Sequence, residues 1–135
     1  MVKMHAVYGG GLHCELTHEP SGSQIETDAP KDNMGKGERF SPTDLVGAAL
    51  ASCILTTMAI VAEREQISLV GAKATVGKEM VVTPTRRIGA LEVQVTLPKT
   101  VPVESREKLE RAAYQCPVHK SLHPDVKAPI VFNYA

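Results

Sequence analysis

One run of residues limits the folds open to this chain more than any other feature. From Leu45 to Ala62 the sequence reads LVGAALASCILTTMAIVA, without a single charged side chain. At about 18 residues it touches the lower length limit of a membrane span. It is rich in Ala and Gly, contains Ser52, Thr56 and Thr57, and lacks the aromatic belts that membrane spans carry at their ends. A buried core helix accounts for it better. The helix start is well marked. Ser41 suits the N-cap, Pro42 the first helical position, and Asp44 complements the positive end of the helix dipole. The predicted helix runs to about Glu65 and turns polar only at Glu63-Arg64-Glu65-Gln66. A helix that is apolar on every side must be surrounded by protein. One sheet from a chain of 135 residues covers only part of it, which predicts a homodimer with the helix sandwiched between subunits.

The segments around this helix read as short strands. Val2, Met4 and Ala6 alternate with Lys3 and His5, and a Gly9-Gly10-Gly11 turn comes next. Leu12, Cys14 and Leu16 then alternate with His13, Glu15 and Thr17, and Gln24 to Thr27 forms a third strand after a Pro20-Ser21-Gly22 turn. Period-two alternation cut by Gly and Pro clusters is the mark of an antiparallel meander. Residues 28–40 carry no period, and a connection of about 13 residues is long for a compact domain, so it is either functional or mobile. Beyond the helix, Ala72 to Val82 and Leu91 to Leu97 predict two more strands, the second strictly alternating. A second helix is predicted over Val103–Gln115, with Leu109, Ala112, Ala113 and Cys116 along one stripe. Glu104 with Lys108 and Glu107 with Arg111 are spaced to pair on its outer face. Pro117 starts a short new turn through Leu122, and Ile130 to Tyr134 is a last strand. The order β-β-β-α-β-β-α-β is an α+β pattern in a single domain, residues 1–135.

Composition excludes several functions. The chain has 15 basic and 15 acidic side chains, no Trp, two Phe and three Tyr. That offers neither the basic footprint nor the stacking platform of a nucleic-acid binder. No signal peptide is visible at Met1-Val-Lys-Met-His, and no membrane partner is expected. Three cysteines, at 14, 53 and 116, are not a disulfide framework. The predicted setting is the cytoplasm, where thiols rest reduced and any disulfide is transient. The glycines at 9–11 and 35–37 lack the strand–loop–helix context of a phosphate loop. Cys116, His119 and His123 have zinc-like gaps, with Asp125 or His18 as a fourth ligand. Pro117 and Pro124 interrupt them and there is no second tight ligand pair. Neither a metal nor another cofactor is expected.

The cysteines carry the chemistry. Taken alone, Cys53 is a small buried residue among Ala49, Leu50, Ile54 and Thr57, and Cys14 is core or edge-strand filler. Cys116 stands at the cap of the turn begun by Pro117, near His119 and Lys120, a setting that favours thiolate. A peroxidatic thiolate becomes a sulfenic acid on attacking an O–O bond and is resolved by a second thiol. Spacing alone does not show that Cys53 and Cys116 meet.

The stretch GKGERFSPTDLVGAALASC, Gly35 to Cys53, resembles the helix-entry motif of the OsmC/Ohr family, and CPVHKSL, Cys116 to Leu122, resembles its second cysteine motif. Element order and length agree over essentially the whole chain. The resemblance implies an intertwined homodimer with sites at the interface, Cys53 as peroxidatic and Cys116 as resolving cysteine. It also implies reduction of organic hydroperoxides to alcohols, with lipoylated proteins or small thiols as reductant. One departure stands out. Where the family places a glutamate after the motif Pro, this chain has Thr43, and the arginine of the first hairpin has no counterpart from Gly9 to His13. Asp44 does not substitute, because nine residues place it about 180° around the helix from Cys53. Arg39 is therefore the expected electrostatic helper, with Thr43 as a lesser hydrogen-bonding candidate. Two alternatives stay open: a non-catalytic protein of this fold that binds a hydrophobic small molecule at the dimer interface, and a thiol enzyme acting on disulfides, persulfides or other electrophiles.

Overall fold

A computed structural model describes residues 1–135, in two compact units, Met1–Val46 and Gly47–Ala135. The first unit holds an antiparallel three-stranded sheet, β1 (Met4–Gly10), β2 (His13–His18) and β3 (Gln24–Asp28), in that order. Cys14 lies opposite Tyr8 on β1 and Thr27 on β3. Leu12 does not join the β2 face as the alternation predicts. It closes the hairpin turn after Gly10 and Gly11, with all three residues at positive φ, a region that glycine enters freely and leucine rarely. His13 is not on a solvent face. It is half-buried, with Nδ1 at 2.7 Å from Asp28 Oδ1 and Nε2 at 3.4 Å from Glu26 Oε1.

Asp28 organises the long connection between β3 and the first helix. Its carboxylate accepts the Glu38 N–H at 3.1 Å, and its own N–H donates to Phe40 O at 3.2 Å. Inside the loop a 3-10 turn forms over Lys31–Asn33, and the Gly35 and Gly37 N–H groups donate back to Pro30 O and Ala29 O. Gly35 sits so close to Ala29 that a Cβ there would fall 1.7 Å from the Ala29 carbonyl oxygen. No side chain fits at that position.

Helix α1 covers Pro42–Arg64. The expected cap is present and reciprocal. The Asp44 N–H donates to Ser41 Oγ at 3.1 Å, and the Ser41 N–H donates to Asp44 Oδ2 at 2.9 Å. This is a capping box with Asp in place of the more usual Glu, satisfying donors that the helix start leaves open.

The second unit pairs β4 (Lys73–Val81) antiparallel with β5 (Arg87–Leu97), and β5 parallel with β6 (Ile130–Tyr134). Leu91, Val93, Val95 and Leu97 of β5 are buried, as their alternation predicts. The strand also extends back to Arg87, past the point where the alternation begins. The buried stripe of α1 is Gly47, Leu50, Ile54, Met58 and Ala62. At Gly47 a Cβ would meet Val76 and Leu91 at ordinary contact distance, so the helix lies on β4 and β5. Its opposite face stays open: Ala48, Ala49, Ser52, Thr56 and Ile60 are exposed. By length and composition α1 is apolar enough to cross a membrane. Within one chain it is a core helix on one face only.

Helix α2 (Val103–Ala113) buries Leu109, Ala112 and Ala113. It ends two residues before the predicted Gln115. Cys116 lies beyond its end and serves instead as N-cap of the short helix α3 (Pro117–Ser121). Glu107 and Arg111 pair as spaced, at 2.7 Å. Lys108 does not pair with Glu104 but reaches Glu65 at the end of α1. A longer-range partner has replaced the local one. At the far end of α2, Arg106 stacks 4.0 Å over the Tyr134 ring, whose hydroxyl donates to Glu110 at 3.2 Å. These contacts fix β6 against α2.

Candidate active site

Two of the four residues singled out in the sequence come together in the second unit. Cys53 lies half-buried near the middle of α1, and Cys116 is fully buried where α2 gives way to α3. The two thiols are neighbours, and each shifts the acidity of the other. Around them α3 supplies backbone donors. The Val118 N–H lies by both sulfurs and favours their charged forms, and the His119 N–H donates to Cys116 Sγ at 3.3 Å. The Thr57 hydroxyl, one turn further along α1, lies 4.0 Å from Cys53 Sγ.

This arrangement drives the two sulfurs apart in acidity. Burial pushes the Cys53 thiol up, but the hydrogen bonds from Cys116, the Val118 N–H and Thr57 outweigh it and bring Cys53 below the ordinary thiol range. Cys116 moves the other way. Burial raises it, and so does donation to Cys53, because losing the proton would lose that bond and set two negative sulfurs side by side. The expectation from spacing was a thiolate-favouring cap at Cys116. The structure reverses it, since His119 gives Cys116 only its N–H while its ring Nε2 donates to Ala128 O at 3.1 Å. Tyr114 packs edge-on against that ring, with centroids 5.5 Å apart, and against Phe132. Those contacts hold α3 where its amides meet the sulfurs.

The other two residues lie in the first unit. Arg39 Nε donates to Glu26 Oε2 at 3.1 Å and Nη1 donates to Glu38 O at 3.1 Å. Thr43, in the first turn of α1, has Oγ1 3.2 Å from Ser41 Oγ. The zinc-like trio has other engagements: His119 with Ala128 and His123 Nδ1 with the Asp125 N–H. Sequence reasoning did not single out Thr57, Tyr114 or the Val118 amide. Thr57 had a signal, since i and i+4 share a helix face. The amide had none before α3 was placed.

Comparison with known proteins settles the lineage. Residues 35–130 match the family model described as OsmC-like protein. The chain belongs to the OsmC-like family. A crystal structure from Psychrobacter arcticus 273-4, of a protein assigned by name to osmotic stress induction and detoxification response, shares 38% identity with a TM-score of 0.92. That alignment covers 98% of this chain and 96% of the other. An organic hydroperoxide resistance protein OsmC from Legionella pneumophila shares the fold at 18% identity and a TM-score of 0.80, covering 98% and 96% of the two chains. The organic hydroperoxide resistance protein OhrB of Bacillus subtilis does so at 20% and 0.71, covering 98% of each. No curated protein matches the chain in sequence. The OsmC-like match spans both Cys53 and Cys116.

Proposed function

We propose that this OsmC-like protein is a thiol-dependent reductase of organic hydroperoxides, working as a homodimer in a reducing cytoplasm. The observation that carries this reading is the Cys53–Cys116 pair, in which one sulfur is acidified by the other. The Cys53 thiolate attacks the distal oxygen of ROOH. An S–O bond forms, the O–O bond breaks, and the alkoxide leaves and takes a proton to become the alcohol. Cys53 is then a sulfenic acid. Cys116 attacks that sulfur, water leaves with the Cys116 proton, and a disulfide remains. A dithiol or lipoyl-type reductant returns two electrons and two protons by thiol–disulfide exchange.

The division of labour follows acidity. The thiol ionised more readily attacks first, while Cys116 keeps its proton until a sulfenic acid is present to receive it. Arg39 is proposed as an added positive charge for the first step. Its ion pair with Glu26 limits what it contributes. Thr43 is proposed only as a hydrogen-bonding residue at the helix entry. Names among the structural relatives support the substrate class, since those from Legionella pneumophila and Bacillus subtilis are organic hydroperoxide resistance proteins.

A second reading has one observation in its favour. A cavity of about 570 Å³ opens along the lower half of α1, with Leu55, Ala59, Ile67, Leu69 and Val70 among its lining residues. That volume suits a small hydrophobic ligand. The deciding experiment adds one equivalent of cumene hydroperoxide, then reads intact mass, free thiols and the mapped bridge. A fast Cys53–Cys116 disulfide within one subunit is expected, and Cys53→Ser should abolish it. Unreacted thiols would move the ligand-binding reading to first place.

A further inference from the structure

We propose that Thr57 is a positioning residue for Cys53, its hydroxyl donating from one helical turn away to hold the sulfur as an oriented thiolate. The inference rests on the reading of Cys53 as the attacking residue and extends it to the residue that helps to hold it.

The geometry starts from helix periodicity. Residues four apart share a helix face, and Thr57 is four residues beyond Cys53 on α1. Its Oγ1 lies 4.0 Å from Cys53 Sγ, and both side chains are half-buried. The neighbouring hydroxyls of the helix do not share this position. Ser52 and Thr56 are both exposed. The cost of the residue points the same way. β-Branched Thr is a poorer helix former than Ala in a helix interior, so a mid-helix hydroxyl beside a sulfur has an identifiable use.

The donors around Cys53 come from three places in its unit. On α1 there is Thr57, at the α2–α3 junction the Cys116 thiol, and on α3 the Val118 N–H. The His119 ring is turned away to Ala128. None of these groups carries a positive charge. Within this unit the sulfur is held by dipoles, and each donor removed must show in its reactivity. Cys116 leaves this set when it becomes the resolving nucleophile, and Val118 contributes through a backbone amide. Thr57 is the side-chain donor that stays in place throughout the cycle. A hydroxyl at this spacing has a competing use, back-bonding to the carbonyl four residues earlier, which stabilises nothing on sulfur. The two uses predict different chemistry.

The test is the pH profile of Cys53 alkylation by iodoacetamide, in which an S–C bond forms as iodide leaves. Peptide mapping then locates the adduct in the full chain and in its Thr57→Val and Thr57→Ser variants. Val keeps the shape and loses the donor, whereas Ser keeps the donor. Thr57→Val should move the midpoint to higher pH and slow alkylation at pH 7 by roughly two- to tenfold, the worth of one net hydrogen bond. Thr57→Ser should restore the native profile. Thr57→Ala, a better helix former, repeats the measurement if the Val variant does not fold. A native profile in Val or Ala would overturn the proposal, as would a Ser variant that behaves like Val. Alkylation needs no peroxide, so the two readings fail separately. A shifted profile with no oxidation by cumene hydroperoxide would sink the reductase reading and leave Thr57 its role. An unshifted profile with rapid disulfide formation would do the reverse.

Discussion

Cys116 lies beside Cys53 and draws that thiol below its ordinary range, while its own sulfur accepts the His119 N–H at 3.3 Å. The same side chain therefore lowers the proton affinity of one sulfur and caps the helix that presents the Val118 amide to it. In the proposed cycle Cys116 therefore acts before oxidation as well as after it.

Replacing Cys116 separates those two actions. In Cys116→Ser a hydroxyl still donates to Cys53, so one equivalent of cumene hydroperoxide should form the sulfenic acid at close to the native rate. No disulfide can then form, and further peroxide should carry Cys53 on to sulfinic acid. Cys116→Ala lacks the donor as well, and its first step at pH 7 should slow by roughly two- to tenfold. Time-resolved intact mass reads both. Equal first-step rates in Ser and Ala would remove Cys116 from the activation of Cys53.

A second prediction concerns the loop at residues 28–40. His13 is raised by its hydrogen bond to Asp28, and Asp28 is lowered by the same bond. A raised histidine stabilises the folded form below its ordinary value of 6.5, an effect lost as pH rises through the folded value. A lowered carboxylate stabilises it above its ordinary 3.8, an effect lost as pH falls through the folded value. The clamp is therefore at full strength between those two ordinary values. Because Asp28 also accepts the Glu38 N–H, protection of that amide against hydrogen exchange, corrected for intrinsic rate, should peak in this window. His13→Gln should flatten its high-pH side. A native-like profile in that variant would show that the ion pair does not hold the loop.

Arg39→Ala tests the helper cation expected from the sequence. If the guanidinium acts on Cys53, the second-order rate of sulfenic acid formation should fall and become less sensitive to salt. With Glu26 already paired to it, the fall should be about tenfold at most. An unchanged rate would leave the dipolar donors of α1 and α3 as the activating set.

These points also mark how much of the molecule is legible in its sequence. The Ser41–Asp44 cap and the buried face of β5 were readable because each is decided by residues close in sequence. The β-β-β-α-β-β-α-β order was readable from period and turn chemistry, and the OsmC-like motifs singled out the two cysteines that the second unit brings together. The acidity order of Cys53 and Cys116 was not readable, because it depends on how two sulfurs 63 positions apart are brought together. The His13–Asp28 clamp needed the β2–β3 register, which sets those residues opposite each other. Leu12 was misplaced for a related reason. Alternation counts residues, whereas the hairpin spends three at positive φ before the strand begins.

The prediction with the widest consequence concerns assembly. Helix α1 buries one stripe and leaves Ala48, Ala49, Ser52, Thr56 and Ile60 exposed, with Ile60 at 48%. In the first unit Met4 and Tyr8 are exposed on one face of β1 and Val7 on the other. A single chain that shows this much apolar surface on both its long helix and its sheet has surface left for a partner. A second copy of the same chain is the proposed cover. Light scattering on the eluting protein should then give twice the 14.5 kDa chain mass. Ile60→Lys places a charge on the exposed helix face, where an ammonium buried without a partner is strongly unfavourable. It should shift the equilibrium toward monomer. A native protein that elutes at the mass of one chain would show that α1 is not sandwiched, and Cys53 and Cys116 would then have to act within an isolated subunit.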